Sequence, residues 1–159
     1  MAFREMRRQK QCISEEECID LLKNEPRGVL SMLGDDDYPY GVPINQWYCE
    51  ENGHIYFHGG KIGHRVDAVK KHDKVSLCVY DSGYRKDGEW ALNIKCVIVF
   101  GRIRIVEDDN EMVDICRKLS YKFTQDEDYI ENEIQKFARA TLLMELIPEH
   151  MTGKLVKES

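Results

Sequence analysis

The chain reads as a mainly β protein: a small, mostly antiparallel barrel with peripheral α-helices. Three observations carry that reading. Apolar and polar residues alternate in short runs such as 55-IYFH-58 and 74-KVSLCVY-80, and a period of two marks a half-buried strand. Short turn signals, including Glu51-Asn52-Gly53, separate the first runs, so neighbouring strands pair as hairpins. The longest β signal, 91-ALNIKCVIVFGRIRIV-106, is rich in Val and Ile.

The elements follow in order. Ser14-Glu15-Glu16-Glu17 fits a capping box, and Cys18, Leu21 and Leu22 recur at helical spacing, which predicts a helix over about 14–24. Pro26 and Gly28 lie beyond its end. GVLSML, 28–33, is a first strand and YGVPINQWY, 40–48, a second. Pro43 inside it lacks a ladder donor, so that point requires an edge or a bulge. Residues 54–58 form a third strand that stops at Gly59-Gly60, followed by a short helix over 63–72. KVSLCVY is the fourth strand, and a polar loop, 81-DSGYRKDGEW-90, leads to the long fifth, in which Gly101 marks a bulge or bend. Helices are predicted over 109–122 and 126–136; in the first, Met112, Ile115, Cys116 and Leu119 fall on one face. TLLMELI, 141–147, is the last strand. The reading gives about six strands in one domain, 1–159, with an N-terminal arm and helix over 1–25 and a polar C-terminal tail over 148–159.

Composition narrows the function classes. Lys and Arg number 23 against 29 Asp and Glu, a net charge of −6, which argues against a nucleic-acid surface. The acidic runs at 35–37, 107–109 and 126–128 read as solvated turns without calcium-loop spacing, and no metal site is expected. No apolar run approaches the ~18 residues of a membrane span, and no apolar segment follows the basic MAFREMRRQK, so a cytoplasmic location is expected. The 6 cysteines include no CxxC pair; they read as small buried hydrophobes in a reducing compartment.

One stretch carries chemistry: 55-IYFHGGKIGHRVDAVKKH-72. Glycines let a ligand approach the backbone, a helix N-terminus favours an anion, and Lys61, His64 and Arg65 add positive charge. Together these features suit a phosphate. Neither GxxxxGK[ST] nor GxGxxG is present, which excludes the corresponding nucleotide folds. A Gly-Gly turn before a basic surface helix also arises for purely structural reasons, so both readings stay open on the residues alone.

In chain order, GVPIN, IYFHGGKIGHRVD, VSLCVYD, KCVIVFGRIRIV and TLLMELIPEHMTGK resemble the FMN-binding split-barrel family related to pyridoxamine 5′-phosphate oxidase. Within it, the chain is most similar to the nitroimidazole-resistance (Nim) flavoproteins, whose opening the N-terminal MRRQKQCISEEECIDLL resembles. The resemblance covers nearly the whole chain, and HGGKIGHRVD and the terminal TGK are its most specific parts. It implies a six-stranded antiparallel split barrel that forms a homodimer with FMN at the subunit interface.

Lys61, His64 and Arg65, with the N–H groups of Gly59 and Gly60, would then hold the FMN phosphate. The ring would lie along Pro43, Ile44, Asn45 and Gln46 and along Tyr56, Phe57 and His58, with Asn45 on its pyrimidine edge. Trp90, Lys95 and Val97 would come from the second subunit. His58 is the catalytic candidate, as a general acid with a histidine pKa near ~6.5; the alternative is that it only bonds the cofactor or caps the turn. The implied activity is an FMN-dependent oxidoreductase that reduces small planar acceptors such as nitroimidazoles, nitroaromatics or quinones. The alternatives are a non-enzymatic FMN-binding or electron-transfer protein, an oxidase-like flavoenzyme of other substrate, and a split barrel that has exchanged its ligand for heme or a deazaflavin. The arginine-rich, tryptophan-bearing end of true pyridoxamine phosphate oxidases has no counterpart after Ile147, so vitamin B6 oxidation is not expected.

Overall fold

Ser14 starts the first helix. Its hydroxyl accepts the Glu17 N–H at 3.1 Å, and Glu17 Oε2 accepts the Ser14 N–H at 3.0 Å, so the predicted capping box is closed on both sides. In the computed structural model, which describes residues 2–158, this helix is α1, Glu15–Asn24, and it buries Cys18, Leu21 and Leu22. Met1 and Ser159, the two ends of the expected domain, lie outside the described residues.

The strands are β1 (Gly28–Leu33), β2 (Pro39–Ile44), β3 (Trp47–Tyr48), β4 (Ile55–Gly60), β5 (Lys74–Tyr80), β6 (Leu92–Ile105) and β7 (Thr141–Glu158). Helix α2 (His64–Lys71) follows β4; α3 (Asp109–Ser120) and α4 (Glu127–Phe137) lie between β6 and β7. Every pairing is antiparallel, in the order β2-β1-β5-β6-β7-β4-β3.

Two expectations are corrected. The described residues form a 7-stranded sheet rather than six strands, because the run 40–48 breaks at Asn45-Gln46 into β2 and β3. The expected polar tail over 148–159 is instead the second half of β7, which pairs with β6 as far as Leu92↔Glu158. A long β6 needs a partner along its whole edge, and this segment supplies it. The irregularity foreseen at Gly101 is present: Phe100 faces His150 and Gly101 faces Pro148, so Glu149 is the extra residue. A side chain on Gly101 would overlap the Ile147 carbonyl, so the close approach of the two strands requires glycine there.

β2 and β3 are the two edges of the sheet, yet only Asn45 and Gln46 separate them in the chain. Three Cα–Cα steps reach about 11 Å at most. The sheet is therefore curled until its edges stand side by side, without ladder hydrogen bonds between them. That is an open, split barrel, and Pro43 sits on its free edge strand, as its missing donor requires.

Inside the curl, Leu22 of α1 meets Leu30, Phe57, Leu77, Val79, Val97, Val99, Met144 and Leu146, all fully buried. Each such side chain contributes roughly 1.5–3 kcal/mol on burial. A second cluster, Tyr56, Leu143, Val106, Met112 and Ile115, lies between α3 and the opposite face of β4 and β7. These two strands are thus covered on both faces, which accounts for unbroken burial from Ile55 to Phe57 and from Leu143 to Glu145.

The cysteines only partly meet expectation. Cys18 and Cys49 are buried and Cys78, Cys96 and Cys116 half-buried, but Cys12 is exposed. Among the described residues no helix is long and apolar enough to cross a membrane.

Candidate functional site

Strand β4 delivers the chemistry-bearing stretch. Its last residues are Gly59 and Gly60, so the glycine pair ends the strand rather than making the turn. The turn is Lys61-Ile62-Gly63. Gly63, at φ 130°, is the N-cap of α2, a backbone conformation that a side chain would strain. No side chain caps this helix end, so its first amides are open to a ligand.

Arg65 folds back from the first turn of α2 onto β4. Its guanidinium lies against Gly59, in the space that a side chain there would occupy. Arg65 Nε is buried and meets no hydrogen-bond acceptor among the described residues. Beside Gly60 and Gly63 the space is open, and Lys61 is exposed. An orphaned guanidinium N–H, an open pair of glycines, a flanking lysine and a helix N-terminus fit the phosphate of a bound nucleotide cofactor. His64 points elsewhere: its Nε2 accepts the Asp35 N–H at 3.2 Å, and its ring stacks on Tyr40 with centroids 4.0 Å apart.

The strand next to the cradle has a free edge. β3 pairs with β4 only at Ile55 and Tyr56, so from Phe57 to Gly60 the edge away from β7 has no strand partner among the described residues. Main-chain groups there can meet a ligand.

The side chains expected along the ring behave differently. Phe57 and Ile44 are in the core, and Tyr56 is buried with its hydroxyl on Glu145 at 2.8 Å. Asn45 is tied by Nδ2 to the Pro26 carbonyl at 2.7 Å. Gln46 is fully buried, with Nε2 donating to the Glu25 carbonyl at 2.7 Å, so it serves the barrel seam. Val97 has no exposed surface, and its strand is paired on both sides, with Val79 and with Gly153. Within one chain it offers neither an exposed side chain nor a free backbone. Lys95 is engaged with Glu17 at 2.9 Å, whereas Trp90 stands 74 % exposed.

Alternation along β4 divides the candidates. Gly59 shares a face with Phe57 and carries Arg65; His58 shares the face of Tyr56 and turns toward α3 and α4. His58 keeps solvent-accessible surface, yet surrounding protein desolvates the imidazole and pushes its pKa below the ordinary value. Its own main chain opposes this shift, and the Arg65 charge adds to it. The shift favours the uncharged ring, which weakens the expectation of a resting general acid.

One group that sequence reasoning missed is Glu145, whose side chain is only 4 % exposed. His54 Nδ1 lies 2.6 Å from its Oε1, and Arg104 pairs with Oε2. Burial raises its pKa, but bonds from His54 and Tyr56 and the Arg104 charge outweigh that and hold it low. The partners come from two segments distant from Glu145 in the chain, 54–56 and Arg104, so no local motif announced them.

A curled, open antiparallel sheet whose fourth strand feeds a short helix defines a split-barrel class. The chain belongs to the pyridoxamine 5′-phosphate oxidase family, whose model matches residues 14–155. No curated protein matches it significantly. Among solved structures it is similar to a candidate 5-nitroimidazole antibiotic resistance protein from Bacteroides thetaiotaomicron, with TM-score 0.79, 16% identity, and 92% of this chain and 87% of that chain covered. It is also similar to an FAD and heme binding protein from Mycobacterium smegmatis, with TM-score 0.74, 20% identity and coverages of 92% and 73%. A third is an FAD-binding protein from Mesorhizobium loti, with TM-score 0.63, 20% identity and coverages of 92% and 97%. At these identities the likeness establishes the fold.

Proposed function

We propose that the protein is a cytoplasmic flavoprotein that holds FMN by its phosphate and passes electrons to a small planar acceptor, nitroimidazoles and other nitroaromatics among them. One observation carries the reading: a buried, unpartnered Arg65 Nε lying against a glycine whose missing side chain makes room for the guanidinium. A planar fork of donors with Lys61 as a point charge beside it is suited to a phosphate dianion. Membership of the family and the FAD-binding solved relatives support a flavin as the cofactor; the choice of FMN rests on the proposed phosphate cradle. The flavin, when bound, would supply the redox chemistry. The chain's own part is to grip the phosphate at Lys61 and Arg65, to present the free edge from Phe57 to Gly60 to the ring, and to hold an uncharged His58 nearby.

A homodimer completes this reading. The outer face of the sheet carries Val29, Cys78, Tyr80, Ile98 and Phe100, with Tyr80 55% exposed. Such a face suits a second copy of the chain.

The test is the visible spectrum of the purified protein before and after FMN is added and the excess removed, followed by anaerobic turnover with nitroaromatics and quinones. A retained flavin double band supports the cofactor assignment. A colourless protein that retains no FMN would overturn it. Release of flavin on dilution to monomer would support a site shared between subunits; a monomer that binds FMN at full affinity would refute sharing.

A further inference from the structure

On the face of β4 opposite the phosphate cradle, His58 opens onto a cavity of about 210 Å³ beneath α3 and α4. Its walls are largely apolar, with Met112, Val113, Ile134 and Phe137 contributed by the two helices. An apolar cavity of about 150 Å³ is enough for benzene, so the volume suits one ring.

The polar groups on the wall are unequally committed. Ser120 Oγ donates to the Cys116 carbonyl at 2.7 Å, and Thr141 Oγ1 donates to the Phe137 carbonyl at 2.8 Å. The Cys116 thiol faces Met112 Sδ at 3.8 Å and burial pushes its pKa up to about 11, which leaves two uncommitted ionisable groups, His58 and Glu133. Neither side chain has a hydrogen-bond or ion-pair partner among the described residues beyond its own main chain. No lysine or arginine lines the cavity. A carboxylate only accepts hydrogen bonds, and with no cation on the wall it repels anions. The neutral imidazole of His58 can donate one bond and accept another.

From this lining we propose that the α3–α4 cavity is a binding site for a flat, single-ring amine or amidine, with its N–H groups on Glu133, its ring between the apolar walls and His58 at its other polar contact. The site shares His58 with the flavin reading but needs neither Arg65 nor Lys61, since it lies on the opposite face of β4 from Arg65.

The test uses the full-length protein, with and without added FMN, and two probes of one size: benzamidine, which is cationic, and benzoate, which is anionic. Binding is read by calorimetry and by magnetisation transfer from the Met112 methyl to the probe ring. Benzamidine is expected to bind and to receive transfer from Met112, while benzoate does not bind. Glu133→Gln is expected to weaken benzamidine about tenfold or more. Val113→Trp, which fills the cavity, is expected to abolish binding; if that variant does not fold, Glu133→Gln and the Met112 transfer decide alone. Equal binding of both probes, no binding of benzamidine, or indifference to Glu133→Gln would overturn the proposal. FMN retention is read by absorbance on the same samples, so failure of the flavin reading and failure of this site give different results.

Discussion

The guanidinium of Arg65 fills the volume where a side chain on Gly59 would stand. A Cβ there would overlap Nη2 and come within 3.0 Å of Cζ. The glycine is thus a seat for the arginine. Gly59→Ala is expected to displace Arg65 and to lower FMN affinity about tenfold or more, by loss of one charge-assisted bond of ~1.5–3 kcal/mol. Stability should move by less than about 1 kcal/mol, since the obstructing group is the end of a flexible side chain and alanine favours a strand over glycine. Fluorescence titration with FMN and thermal melting measure the two effects. An unchanged affinity would separate Arg65 from the phosphate.

Charge removal gives a sharper version. Arg65→Ala with Lys61→Ala is expected to weaken FMN by several kcal/mol, at ~1.5–3 kcal/mol for each charged hydrogen bond, with Lys61 the smaller part because it is exposed. Riboflavin, which has the same ring and no phosphate, is expected to bind the double variant and the parent alike. Equal losses for both ligands would mean that the cradle acts on the ring and not on the phosphate.

His58 should titrate below its ordinary value of 6.5, because burial and then Arg65 disfavour the imidazolium. The unfolded chain therefore binds more protons in the window just under 6.5. The His58 contribution is fully present above that pH and is lost as pH falls through the folded value. In Arg65→Ala the midpoint is expected to rise, and a phosphate bound at Arg65 should raise it in the same direction. Imidazole NMR titration of the parent and the variant checks both; a midpoint that ignores Arg65 would contradict the coupling.

Lys122 bears on the seam of the barrel. Its Nζ donates to the Gln46 carbonyl at 2.6 Å and to the Leu22 carbonyl at 3.2 Å, and burial pushes its pKa down to about 8. The unfolded chain holds this proton up to the ordinary 10.5, so stability should rise with pH between about 8 and 10.5. Lys122→Met is expected to remove that rise and to destabilise the protein by ~1–3 kcal/mol at neutral pH, by leaving the Gln46 carbonyl unpaired. Urea unfolding at stepped pH measures both; an unchanged slope would place the titration on another group.

Local rules made much of this fold readable. Ser14 and Glu17 announced α1, and alternation announced β1, β4 and β5. The second half of β7 was obscured by Pro148, Gly153 and two lysines, which read as a polar tail. Gly153 is needed there because a Cβ would come within 2.7 Å of Ile13 Cγ1 and crowd Cys18, a reason that exists only once α1 is docked. The basic cluster was legible as a cluster, but not its division: Arg65 turns back to Gly59 while His64 turns to Tyr40 and Asp35. His58 was legible as a residue near the site, but its outlook onto α3 and α4 depends on how those helices pack against β4 and β7.

The two-residue joint at Asn45-Gln46 bears on how this sheet avoids unwanted company. Exposed strand edges invite other chains to add themselves on. Here each edge is screened by the other, and Pro39 and Pro43 remove donors from one of them. The guard rests on the short joint and on the seam bonds of Asn45, Gln46 and Lys122, since the two edges share no ladder. A few glycines inserted between Asn45 and Gln46 would leave every existing strand pair intact and still set two sticky margins free, turning a discrete protein into one prone to polymerise.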